Sequence, residues 1–169
     1  MKRNGLYRLR TSSISGSLFV LFLLLCTSVS SAQSPVNFSG VWIQDTTKSD
    51  DFYKSFEVIY TITQTSQKFT VKQAFTIKSS KEIVTNEYSF TLDGKVTSME
   101  KEGGTEKELA QWSAYNKILN TRSIITYGNE DVGFTENYSL SENGLVLTVQ
   151  KSNITPGGLS IVQVFNKKQ

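Results

Sequence analysis

Strict alternation of apolar and polar residues narrows the fold of this chain more than any other feature. In the segment from Phe69 to Lys78, FTVKQAFTIK, the odd positions are Phe69, Val71, Gln73, Phe75 and Ile77, and the even positions are Thr, Lys or Ala. A repeat of two sends successive side chains to opposite faces of a strand, so such a segment buries one face. Val58, Tyr60 and Ile62 form one face of an earlier segment, although Ile59 adds an apolar group to its other side. Val84, Tyr88, Phe90 and Leu92 share a face later, with Asn86 between them. No apolar stripe at helical spacing competes with this pattern.

Turn residues divide the alternating segments. Asp93-Gly94 and Asn143-Gly144 are pairs that tolerate positive φ in tight hairpins. Gln67-Lys68 and Ser79-Ser80-Lys81 are polar breaks, and Gly103-Gly104, 128–131 and Pro156-Gly157-Gly158 mark longer loops. Ten strands are expected, at 38–44, 56–65, 68–78, 82–92, 95–100, 106–113, 117–126, 133–141, 145–152 and 159–166. Short connections make this a meander, and a long meander hides its edges best by closing into a barrel. A sandwich is the alternative. The longest gap, Asp45 to Ser55, has room for a helical turn across one barrel mouth. YSFTLDG at Tyr88 is echoed by YSLSENG at Tyr138, as two similar hairpins would be.

The first 32 residues read as an export signal. Lys2, Arg3, Arg8 and Arg10 precede an apolar run from Leu18 to Leu25, and Ser30-Ser31-Ala32 offers a small-residue cleavage site. The apolar core spans about 8–10 residues, against the roughly 20 needed to cross a bilayer, so no transmembrane anchor is expected after cleavage near Ala32. Leu25 precedes Cys26, where lipoprotein signals resemble one another in having Gly, Ala or Ser, so the lipoprotein reading is set aside. The domains are then a signal peptide at 1–32 and one all-β domain at 33–169, periplasmic or secreted.

Removing the signal takes the balance from 18 basic and 15 acidic residues to 14 and 15, a net charge of −1 instead of +3. A nucleic-acid role loses its electrostatic basis. The chain has no histidine, and its one cysteine lies in the signal. Disulfides, thiol nucleophiles, histidine triads and His/Cys zinc sites are therefore excluded from the exported part. No cofactor is implied, and a monomer is expected.

Asn37-Phe38-Ser39-Gly40-Val41-Trp42 carries G-x-W at the start of the first strand. This resembles the opening of lipocalins and of the wider calycin barrels, which include the fatty-acid-binding proteins. The resemblance implies that Trp42 packs across the closed end of a barrel. NFSGVWIQDTTKSD, AQWSAYNKIL and ENYSLSENGLVLTVQKS together resemble small exported bacterial proteins with a lipocalin-like domain. That likeness implies a lipocalin-like meander barrel and an exported location.

Polar residues on apolar faces are the site candidates, because a buried polar group needs a partner or a ligand. Gln73 lies between Val71 and Phe75; Asn120 and Arg122 lie on the face of Ile118 and Ile124; Glu136 alternates with Phe134 and Tyr138. Arg122 is the only arginine after the signal. Inside a barrel it would grip a ligand carboxylate through two parallel hydrogen bonds; otherwise it faces solvent or pairs with Glu136. Trp42, Tyr60, Phe75, Trp112 and Tyr138 complete the expected ligand-binding set with Gln73 and Arg122, lining a cavity or filling a core. Glu106 and Glu108 share a strand face but read as a solvated hairpin tip beside Lys101, Lys107 and Gly103-Gly104. The pair Tyr138 and Glu136 is discounted for catalysis on the ground that strand neighbours face opposite ways. No metal site is expected.

The expected function is a non-enzymatic carrier or sensor for a small hydrophobic, amphipathic or carboxylate-bearing ligand. The alternative is an envelope interaction or structural domain with a filled core and an exposed apolar patch or a sticky edge strand, the final strand, Ser160 to Phe165, being the place to look.

Overall fold

The computed structural model describes residues 34–155 and 157–169. The expected signal, its cleavage site, Cys26 and Pro156 lie outside the described residues. The strands are β1 (Gly40–Gln44), β2 (Phe56–Gln64), β3 (Lys68–Ile77), β4 (Ile83–Thr91), β5 (Thr97–Lys101), β6 (Gly104–Trp112), β7 (Ile118–Tyr127), β8 (Glu130–Leu140), β9 (Val146–Asn153) and β10 (Ser160–Lys167). All ten match the expected segments to within three residues at each end. The connections expected as longer loops at Gly103-Gly104 and 128–131 are instead tight turns, because β6 already begins at Gly104 and β8 at Glu130.

The strands form one antiparallel sheet in the order β4-β3-β2-β1-β10-β9-β8-β7-β6-β5. The first and last strands pair through Trp42 and Lys167, which rolls the meander into a nearly closed barrel rather than a sandwich. The unpaired edges are β4 and β5, which follow each other in sequence. The final strand is not an edge: β10 pairs with both β9 and β1, so it offers no sticky edge.

One end of the barrel is apolar and sealed. Phe38 is fully buried, stacks on Trp112 at 5.9 Å between ring centres, and meets Phe69 and Tyr138 edge-on at 6.0 and 6.2 Å. Trp42, also fully buried, donates its indole N–H to the Phe38 carbonyl at 2.9 Å. Gln64 ties the segment before β1 across this end. It donates Nε2–H to the Val36 carbonyl at 2.8 Å and accepts the Phe38 N–H at 3.0 Å. Gly40 precedes the tryptophan because its φ of +146° is one that L side chains rarely adopt, and a Cβ there would also push on the Lys167 Cε at 3.0 Å. Each buried aromatic here contributes roughly 1.5–3 kcal/mol of transfer free energy.

The other end is built differently. The expected helical turn forms as a 3₁₀ turn over Asp51–Ser55. Asp50 anchors it to β10, accepting the Val162 N–H on its carboxylate at 2.7 Å and donating its own N–H to the Val162 carbonyl at 3.0 Å. Phe52 packs on Tyr53 and Phe56, and Phe56 meets Phe75 edge-on at 6.5 Å, giving this end an aromatic rim.

Candidate functional site

Between the sealed floor and the aromatic rim a group of polar side chains joins the apolar core of the barrel interior. Alternation along β6 turns Glu106 and Glu108 inward with Ala110, and each glutamate is 7% exposed. From β7 come Thr121 and Ser123, from β8 Glu136, from β3 Gln73 and from β10 Gln163, all buried. Cross-strand pairing sets Ser123 beside Glu108, and Thr121 between Ala110 and Glu136.

Two of the three acids have a lysine beside them, although among the described residues Glu136 Oε1 makes only the ion pair and no hydrogen bond. Glu136, 1% exposed, forms an ion pair with Lys151 at 3.2 Å and accepts a short hydrogen bond from the Tyr138 hydroxyl. Lys151 in turn lies over the Phe134 ring, 3.5 Å from its centre. Glu106 accepts the Ser123 hydroxyl at 3.0 Å and faces Lys101 at 3.3 Å. Glu108 has no hydrogen bond or ion pair among the described residues. Burial, reinforced by the neighbouring Glu106 charge and opposed by Lys101, pushes its carboxyl above the ordinary range.

The neutral groups are also incompletely paired. Tyr60 donates its hydroxyl to Gln163 Oε1 at 2.9 Å, but Gln163 Nε2, Gln73 Nε2 and Thr121 Oγ1 have no partner among the described residues. Burial, and then the charge of Glu136, hold the phenols of Tyr60 and Tyr138 well above their usual range and raise Tyr53 to about 12. All three therefore remain neutral hydrogen-bond donors.

The inner face of the sheet is most exposed at the seam between β4 and β5. Val84, Asn86 and Met99 occupy inward positions by register, opposite Phe75, Gln73 and Glu106 respectively. Val84 is nevertheless 44% and Met99 39% exposed, and Asn86 is exposed too. Solvent therefore reaches the inner face where the two strands part.

The structure sorts the expected ligand-binding set. Trp42 and Tyr138 are fully buried, and Trp112 is half-buried against Phe38. Tyr60 and Gln73 are buried in the polar layer, and half-buried Phe75 belongs to the rim. Arg122 does not join them. Its side chain is exposed on the outer face, in an open groove of about 370 Å³ with Leu109, Lys107 and Asp131. Ile118 and Ile124 misled the assignment, because the even positions of β7 point outward and Ile118 is 38% exposed. An interior guanidinium for a ligand carboxylate, or for Glu136, is thereby removed, and Asn120 is outside as well.

Two other expectations are corrected. Glu106 and Glu108 are not a solvated tip, because the turn ends at Gly104 and both lie within β6. Glu136 and Tyr138 do not face opposite ways, since residues two apart on a strand share a face. The residues missed were Glu106, Glu108, Thr121, Ser123, Lys151 and Gln163. Counting back by two from Trp112 and Ala110 would have placed both acids of β6 inside. Among the described residues no group of three metal-ligating side chains converges, and no helix is long and apolar enough to cross a membrane.

No protein-family model matches the chain, and no curated protein matches it by sequence. One solved structure to which the chain is similar is secretory abundant heat soluble protein 4 from Ramazzottius varieornatus. The two superpose with a TM-score of 0.53 at 13% identity, over 81% of this chain and 99% of the other. That likeness shows a shared lipocalin-like barrel fold.

Proposed function

We propose that this chain is an exported, non-enzymatic binding protein that holds a small amphipathic molecule inside its barrel. One observation carries the reading: a layer of buried, incompletely paired polar groups lies beneath an apolar rim, beside a seam where inward-facing residues meet solvent. A solid structural barrel gains nothing from such a layer, since each unpaired buried group costs about 1–3 kcal/mol. A molecule with one polar and one apolar end would satisfy both zones. The fold similarity supports binding in general and says nothing of the ligand.

Titration with the neutral fluorescent probe N-phenyl-1-naphthylamine, followed by mass spectrometry of protein purified without denaturant, tests this. Saturable fluorescence gain, together with a co-purifying small molecule, is expected. No probe uptake and no bound mass would overturn the reading.

A further inference from the structure

We propose that the molecule held in the barrel carries an ammonium group, which enters head-first and is received by Glu108 and Thr121. This inference rests on the binding-protein reading above and deepens it.

The interior charge is unbalanced. Glu136 has Lys151 opposite it, and Glu106 has Lys101 at the seam, so the charges of those two acids are compensated. Glu108 has no ion pair or hydrogen bond of its own among the described residues, although it is only 7% exposed, and Lys101, which pairs with Glu106, acts on it only at longer range. A buried carboxylate left alone is costly, and a ligand cation supplies the missing partner.

Thr121 is a second, independent pointer. It is 2% exposed, its hydroxyl has no partner, and it stands one cross-strand step diagonally from Glu108 on the same inner face. A hydroxyl can accept a hydrogen bond from an ammonium group while the carboxylate takes the charge. Across the barrel, Gln73 is likewise 2% exposed with an unpaired amide.

The polarity of this interior disfavours an anionic head. The only arginine after the signal is outside, and Lys151 is held by both Glu136 and the Phe134 ring. A carboxylate placed beside Glu108 would meet like charge. A bare metal ion is disfavoured too, because no three ligating side chains converge among the described residues. Phe56, Phe75, Val84 and Met99 then offer the tail an apolar path to the seam.

Displacement of N-phenyl-1-naphthylamine by dodecylammonium, dodecan-1-ol and dodecanoate, each below its micelle concentration at pH 7.4, decides the matter. The three share one chain length and differ only in the head. Dodecylammonium is expected to compete about tenfold or more better than the alcohol, the usual size of one charge-assisted contact, with dodecanoate weakest. Glu108→Gln should erase that preference while leaving alcohol binding in place. Thr121→Val, which keeps the shape, should reduce it several-fold. Circular dichroism establishes that both variants are folded. If alcohol or dodecanoate competes as well as the ammonium, the ammonium inference fails while the binding-protein reading survives. If the probe never binds, both fail.

Discussion

Two hairpin connections in this barrel are built alike and end differently. At the β8–β9 turn, Asn143 Oδ1 accepts the Leu145 N–H at 3.1 Å and the Ser141 hydroxyl at 2.7 Å, and Gly144 sits at φ +69°. At the β4–β5 turn, Asp93 Oδ1 accepts the Lys95 N–H at 3.0 Å and the Thr91 hydroxyl at 3.1 Å, and Gly94 sits at φ +71°. This is the physical content of the sequence echo. Yet β8 and β9 pair from Leu140 opposite Leu147 to Phe134 opposite Asn153, while β4 and β5 do not pair at all. The turn sets the direction in which the chain returns, and the strand residues decide whether it zips. The paired strands set Glu136 opposite Lys151. The same register continued from Asp93-Gly94 would set Glu87 opposite Glu100, a like-charge pair that disfavours pairing.

The largest expected effect comes from breaking the zipped side. Lys151→Met leaves Glu136, 1% exposed, without its counter-charge. Removing one partner of a buried ion pair costs about 3–5 kcal/mol, which urea denaturation will register as a lower midpoint. Adding Glu136→Gln to that variant removes the orphaned charge and still accepts the Tyr138 hydroxyl. Most of the loss should then be regained. A double variant as unstable as the single would show that Lys151 acts through its packing on Phe134 rather than through charge.

Glu108 is the seam-side counterpart of Glu136, with no lysine opposite. Its folded-state pKa is raised by burial first and by Glu106 second. The sign follows from that direction. Stability from the protonated form is complete below the ordinary value of 4.5 and is lost as pH rises through the raised folded value. Glu108→Gln should therefore match the parent near pH 4 and melt at a higher temperature than the parent at pH 7. Equal melting temperatures at pH 7 would mean that the carboxylate is already compensated.

Alternation made most of the ten strands legible, because they have a buried face and a wet one, and the turn pairs punctuated them; β5 and the first half of β4 have no buried face. The helical turn at Asp51–Ser55 was legible as the one gap too long for a hairpin. The site was less so. Gln73 and Glu136 stood out as polar residues among inward aromatics. Arg122 was misplaced because the outer face of β7 also carries isoleucines, so apolarity alone did not distinguish inside from outside. The β6 acids were missed because their lysine neighbours suggested a solvated tip. The open seam left no signal at all at the turn, since Asp93-Gly94 reads as a good hairpin and is one locally.

A smaller effect separates the two turns. Gly144→Ala and Gly94→Ala both place a Cβ at positive φ, with no heavy atom within 4 Å of either position. Steric strain alone costs about 1–2 kcal/mol per residue. At Gly144 the strain opposes a paired ladder, so the global unfolding midpoint should fall. At Gly94 the strands are already apart and the chain can adjust, so the fall should be smaller. Equal losses would mean that the seam is as tightly held as the ladder.

The smallest effect is the most direct test of why the seam stays open. Glu87→Lys replaces the like-charge pair that the turn would impose with an opposite-charge pair facing Glu100. Opposite charges across strands contribute roughly 0.2–1 kcal/mol, which slows amide exchange by about 1.4- to 5-fold if β4 and β5 come together. Hydrogen exchange at residues 97–101 is the measurement. Slower exchange there, with slower uptake of the fluorescent probe, would identify charge repulsion as the force that holds the entrance. Unchanged exchange would move the cause to the inner face, where the same register sets Asn86 opposite Lys101. Burying that lysine on pairing would separate it from water, and Lys101→Met in the Glu87→Lys background would then be the change that lets the seam close.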